Sequence, residues 1–126
     1  PHVDVLHVDV ADGHFAPALL YFPDLVAQLR KIVTVPIHTH LMVADSILLQ
    51  QIEQFAEAGS DLISVHLENA NMLDKALDLL DRLKIPAGLV LKIDTRLEEV
   101  EPYLPRIRFL TLLGTAIGIK GVGLDE

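Results

Sequence analysis

Val3-Asp4-Val5-Leu6-His7-Val8-Asp9-Val10 is the stretch on which the fold turns. It is rich in β-branched residues and alternates, which predicts a strand. Ala11–Phe22 follows as a loop punctuated by Asp12-Gly13 and Pro17. Pro23–Ile32 then reads as an amphipathic helix, with Pro23 in its first turn and Leu25, Val26, Leu29 and Ile32 as its apolar side. The same unit recurs along the chain. Strand Ile37–Val43 leads to a helix ending at Ala58, with Asp45 or Ser46 as its cap and Gly59 as its stop. Strand Asp61–Leu67 leads to helix Asn71–Leu83, which carries Leu73, Leu77, Leu80 and Leu83 on one side. Strand Ala87–Leu91, a short helix Leu97–Tyr103 and strand Arg108–Leu113 complete the series.

This alternation predicts parallel strands joined by helical crossovers. The strands are apolar at most positions, as expected when both faces are covered. A doubly wound open sheet and a (β/α)8 barrel both satisfy the pattern. The G-x-G-x-x-G fingerprint of dinucleotide binding is absent after the first strand. A complete barrel takes about 250 residues, so 126 residues with about five β/α units would be an incomplete portion of one. A single domain over residues 1–126 is the expected organisation, and neither Pro1 nor Glu126 reads as a natural terminus.

Ten basic and eighteen acidic residues give a net charge of −8, which argues against a nucleic-acid surface. No apolar run reaches the length of a membrane span and no secretory leader is visible. The absence of cysteine excludes disulfides, thiolate metal sites and a cysteine nucleophile, and makes a reducing cytoplasm the default compartment.

The informative polar residues lie inside the strands. Residues two apart share a face, so His7 and Asp9 project together from the first strand, His38, His40 and Met42 from the second, and Ser64, His66 and Glu68 from the third. Ligand sites of parallel α/β proteins sit at the C-terminal ends of the strands, where these groups cluster. Burying so many ionisable groups without a task is costly. A single strand-end histidine is more often structural, but His7, Asp9 and His40 together point to a metal: His and carboxylate ligands suit Zn²⁺, Fe²⁺, Mn²⁺ or Co²⁺. His2 reads as terminal surface and His14 as a loop residue. Lys92, at a strand end, reads as solvated rather than as a Schiff-base lysine. Gly114–Gly123, with four glycines, can turn backbone N–H groups toward a phosphate or serve as a plain connection.

Three motifs carry a resemblance. His7-Val8-Asp9-Val10-Ala11-Asp12-Gly13-His14-Phe15 resembles the H-[LIV]-D-V-M-D-G-x-F signature of the ribulose-phosphate 3-epimerase family. His40-Leu41-Met42-Val43 resembles its H-L-M-V, and Ala58-Gly59-Ser60-Asp61 with Val65-His66-Leu67-Glu68 resembles its A-G-A-D and H-x-E. The resemblance implies a TIM barrel of the ribulose-phosphate-binding type, entered at its second strand and left after its sixth. It implies one divalent metal held by His7, Asp9 and His40, with Asp9 also one of two acid/base carboxylates. The opposing Asp and the second half of the phosphate site lie outside this sequence. The implied reaction inverts C3 of a ketose phosphate through an enediolate. Met42, His66, Gly118 and Gly121 are the expected substrate-binding residues, His66 as pocket wall or substrate contact. The expected partners are a sugar phosphate and further copies of the chain in a homo-oligomer, with neither nucleic acid nor membrane.

The departures bear on the substrate. Ala11 and Leu113 stand where the family usually has Met, His38 where Asp is common, Ile93-Asp94 where Asn-Pro is usual, and Ala116–Gly121 replaces the Pro-Gly-Phe-Gly-Gly loop. A ketohexose 6-phosphate is therefore a rival substrate, and a non-catalytic, ligand-binding relative a rival role. Lyase and decarboxylase barrels that use an Asp-x-Lys pair fit less well, since Val10 and Ala11 follow Asp9 without a lysine.

Overall fold

Strand pairing decides between the two architectures. The computed structural model describes residues 4–113; His2 and the loop Gly114–Gly123, with Gly118 and Gly121, lie outside the described residues. Strands β1 (Leu6–Asp12), β3 (Ile37–Met42), β4 (Leu62–His66), β5 (Ala87–Lys92) and β6 (Phe109–Leu113) are parallel and adjacent in chain order. A doubly wound sheet reverses its strand order at a switch point, and this one does not. The result is a mixed α/β fold with a parallel sheet, consistent with part of a TIM barrel. A two-residue strand β2 (Leu19–Leu20) folds back antiparallel on Ala11 and Asp12.

The helices α1 (Pro23–Ile32), α2 (Asp45–Ala58) and α3 (Ala70–Arg82) cover one face of the sheet. Val8, Val10, Ile37, Leu41, Ile63, Val65, Leu89 and Leu91 meet Val26, Leu48, Ile52, Phe55, Leu73, Leu77 and Leu80 in a single core. The opposite face, carrying His7, Asp9, His38, His40, Ser64 and His66, is the one that would line a barrel's interior. Among the described helices none is long and apolar enough to cross a membrane.

Several element boundaries differ from the sequence reading, each for a local reason. β1 begins at Leu6 rather than Val3, because its ladder opens only where β3 begins: Leu6 pairs with Ile37 and donates to the Pro36 carbonyl at 2.9 Å. It extends to Asp12 because β2 supplies partners for its last two residues. The N-cap of α2 is Ala44, and the Asp45 carboxylate instead accepts from Asn69 Nδ2 at 2.9 Å. That amide also donates to the Val43 carbonyl at 3.0 Å, and the pinned chain turns as a 3-10 segment, Leu67–Asn69. Glu68 therefore leaves the strand alternation. Ile32 and Leu83 are exposed rather than part of the apolar stripes, since each sits where its helix ends. The helix from Leu97 is α-helical only to Val100 (α4) and continues as 3-10 over Glu101–Arg106, where Pro105 lacks the N–H an α-turn needs.

The connection from α2 to β4 is held by one arginine. Gly59 ends α2 with φ +111°, and a Cβ there would lie 2.6 Å from Arg30 Cδ. The Arg30 guanidinium donates to the carbonyls of Gly59, Val33 and Val35 and to Asp61 Oδ2 at 2.6 Å. Gly59→Ala meets both the left-handed backbone and the arginine, and is expected to cost about 1–3 kcal/mol. Urea unfolding should show a lower midpoint with an unchanged slope; an unchanged midpoint would show that the cap is not needed.

Candidate metal centre

The β1–β3 register sets His7 opposite His38 and Asp9 opposite His40. Side chains on the inner face therefore meet across the ladder. Asp9 Oδ1 lies 2.8 Å from His7 Nε2 and 3.2 Å from His40 Nδ1. One ligand atom from each of His7, Asp9 and His40 falls within 4.8 Å of the others, which fits one cation with two imidazoles and a carboxylate. The three differ in access: the side chains of His7, Asp9 and His40 are 50%, 31% and 8% exposed. Hydrogen bonds from His40 and His7 hold the Asp9 carboxyl far below its ordinary range, against the opposing effect of burial. A carboxylate held ionised between two imidazoles is a donor set that could hold a divalent cation.

The remaining histidines form a second layer. His66 is fully buried, with its ring stacked on His40 and its Nε2 2.6 Å from His40 Nε2. Its other face meets Phe15. Its Nδ1 has no hydrogen-bond partner among the described residues, and Glu68 Oε2 is 3.6 Å away. Burial depresses the His66 pKa, so this ring is held neutral. His38 contacts His7 on one side and Ser64 on the other. Met42 is buried with Ala11 and Ala16 beneath Phe15 and Leu20, in a small cluster separate from the main core. His14 is exposed and belongs to no ligand group. Lys92 is exposed at the end of β5.

Comparison with known proteins bears on this geometry. The model of the "Ribulose-phosphate 3 epimerase family" matches residues 1–123. The chain belongs to the ribulose-phosphate 3-epimerase family. It is 35% identical over 118 residues to the ribulose-phosphate 3-epimerase of Aquifex aeolicus, covering 94% of this chain and 52% of that protein. It is 31% identical over 118 residues to that of Bacillus subtilis, covering 94% and 54%. It is 32% identical over 125 residues to the chloroplastic ribulose-5-phosphate-3-epimerase of Arabidopsis thaliana, covering 98% and 44%. The chain thus spans about half the length of the family members it matches.

Two features of the site were not apparent as such from sequence. Gly88 faces Ser64 and the Phe109 ring so closely that a Cβ would overlap both; a glycine inside a strand signals close approach of another group. Asp12, read with Gly13 as a turn or as a loop shaping the pocket rim, is a hub. Its Oδ1 accepts from the backbone N–H groups of His14 and Phe15, each at 2.8 Å, and its Oδ2 from that of Ala44 at 2.7 Å. It ties the loop after β1 to the start of α2. An Asp at the end of a strand and before Gly is the available signal for such a role.

Burial raises the Asp12 carboxyl, but the three N–H donors outweigh it and the net shift is downward. Its stabilising contribution is therefore present in full above its unfolded value of about 3.9 and is lost as pH falls through the lower folded value. Asp12→Asn puts an amide N–H₂ against at least one backbone donor and should cost about 1–3 kcal/mol at pH 7. In urea unfolding the deficit should narrow at pH 3 and below, as the wild-type carboxyl protonates. A deficit of constant size from pH 7 to pH 3 would show that the ionised form is not what holds the loop.

Proposed function

We propose that the protein carrying this chain is a divalent-metal-dependent 3-epimerase of a ketose phosphate, with ribulose 5-phosphate as the first substrate to test. The observation that carries this reading is the convergence of His7, Asp9 and His40 ligand atoms within 4.8 Å of one another, at the ends of adjacent strands, in a chain of this family. In the same reading the described parallel strands take the places of the second to sixth strands of a (β/α)8 barrel.

Inverting C3 requires removal of a weakly acidic proton beside the C2 carbonyl and its return on the opposite face, through an enediolate. A divalent cation, with zinc, iron, manganese and cobalt all suited to these donors, would supply Lewis-acid polarisation of the carbonyl. His7 Nε2, His40 Nδ1 and the Asp9 carboxylate are the groups that would hold it. Both imidazoles approach Asp9 at Oδ1, and Oδ2 has no hydrogen-bond partner among the described residues. In this reading Oδ2 would be the oxygen that takes the C3 proton on one face. Asp9 is the carboxylate this reading assigns as the base; the His7 and His40 hydrogen bonds that depress its pKa in the metal-free protein are the ones a cation would replace. In this reading Met42, buried with Ala11 and Ala16, and His66, stacked on His40, would line the pocket beside the triad.

The experiment is solvent deuterium wash-in at C3 on the full-length protein, with ketopentose and ketohexose phosphates, with and without a chelator. Metal-dependent exchange on one of them is expected. Bound metal with no exchange on any would favour a ligand-binding relative instead. Asp9→Asn should lower bound metal and cut turnover about a hundredfold or more. Full activity in that variant would sink the assignment. His14→Ala should leave the metal content unchanged, since His14 stands apart from the ligand group; loss of metal there would identify a different ligand set.

A further inference from the structure

A second histidine stands behind the most exposed member of the triad. His38 is the cross-strand partner of His7, and their Nδ1 atoms are 3.3 Å apart. The other nitrogen of His38, Nε2, is 2.6 Å from Ser64 Oγ. The Phe109 ring meets His38 edge-on with centroids 4.9 Å apart, and Gly88 leaves the space that Phe109 and Ser64 fill. The His38 ring is thus fixed on three sides and has both nitrogens engaged.

The tautomers of this chain are coupled. Two facing Nδ1 atoms can share only one proton between them, so one ring donates and the other accepts. When His7 Nε2 donates to Asp9, His7 Nδ1 is bare and accepts from His38 Nδ1–H. His38 Nε2 then accepts from the Ser64 hydroxyl. When a cation takes the lone pair of His7 Nε2, the direction must reverse: His7 Nδ1–H donates to His38 Nδ1, and His38 Nε2–H donates to Ser64 Oγ. Each group keeps one proton in both arrangements, so no charge is created.

We propose that His38 is a positioning residue for the metal centre, a neutral acceptor that fixes the ring of His7 and presents its Nε2 lone pair to the cation. The inference rests on the metal reading given above. Both nitrogens of His38 are engaged, one by His7 and the other by Ser64, and a single proton on Nε2 serves Ser64 while leaving Nδ1 free to accept from His7. A hydrogen bond to the far nitrogen of a ligating imidazole fixes its orientation and raises its basicity. A neutral acceptor does this without adding negative charge, which leaves the bound cation more electrophilic than a carboxylate acceptor would.

The test measures Zn²⁺ affinity of the full-length protein by chelator competition, with thermal unfolding of the metal-free protein as a control. His38→Ala should weaken Zn²⁺ binding about 10- to 100-fold. His38→Asn, whose Oδ1 takes the place of Nδ1, should restore most of the loss, and His38→Asp should bind more tightly than the wild type. Wild-type affinity in His38→Ala overturns the proposal. So does an Asn variant as weak as the Ala variant, since that result assigns the ring to packing against Phe109. In the wild type, ¹⁵N NMR should find His38 changing from the Nδ1–H to the Nε2–H form when Zn²⁺ is added. An unchanged tautomer, or zinc on His7 Nδ1, overturns the proposal without any variant. A wild-type protein that binds no Zn²⁺ overturns the metal reading itself and this inference with it, whereas failure confined to the His38 measurements leaves the metal reading standing.

Discussion

Parallel register between β1 and β3 brings Asp9 opposite His40 and His7 opposite His38, and every contact among His7, Asp9 and His40 follows from it. A slip of one residue would turn the ligands of one strand into the helical core and its valines into the site. Aspartates that lie outside the triad tie β3 to its neighbours at both ends. At the start of β3, Asp61 Oδ2 accepts from Ile37 N at 2.8 Å, its own N–H donates to the Ile37 carbonyl at 2.9 Å, and Arg30 locks the carboxylate in place. At the far end, Asp12 joins the end of β1 to Ala44, just past β3. β3 is thus tied at its start to Asp61, ahead of β4, and at its end to Asp12 of β1, and the candidate ligands project from the segment between.

Electrostatics on the inner face follow from composition. Asp9 is the one carboxylate of the triad, and its Oδ1 is shared by two imidazoles. The buried His66 and the half-buried His38 are both pushed toward neutrality by desolvation, with nearby histidines adding to the effect. Histidine is suited to this arrangement because it fills space as an aromatic ring, stacks, and donates or accepts through either nitrogen without carrying charge. Lysine in the same place would repel a cation. A second carboxylate would have to be buried beside Asp9, which costs more than a neutral ring.

Much of this was readable in the sequence, for a reason specific to strands. A period of two places His7 with Asp9, and His38 with His40, on common faces without knowledge of the tertiary structure, and a buried polar face is a strong signal because it is costly. The β/α order was readable for the same reason: apolar strands and amphipathic helices have different periods. What could not be read depends on contacts between strands and loops. The link from His38 to Ser64 runs diagonally, since the ladder partner of Ser64 is His40, and such an offset is not visible in the alternation of either strand alone. Asp12 and Asn69 act on backbone groups about thirty residues away in sequence for Asp12, and only slightly fewer for Asn69. The cap of α2 was misplaced because Asp45 has the right chemistry but its carboxylate serves Asn69. Gly118 and Gly121 lie outside the described residues, so the phosphate loop stays an inference from sequence.

The ligands come from two neighbouring strands, and this has a consequence for how the site is assembled. All three project from β1 and β3, and the groups behind them come from β3 and β4. None of these contacts requires the sheet to close into a barrel. The other side of the described sheet is different in kind: on β6, Leu110 and Leu112 are exposed on the helix-facing side, as expected where a covering element is missing from the described residues. Metal-ligand geometry is thus set by local strand pairing and by the two aspartate clamps, whereas enclosing a substrate needs walls on every side. Gathering the two imidazoles and the carboxylate and walling off a pocket are separable tasks in this fold, and the described strands suffice for the first.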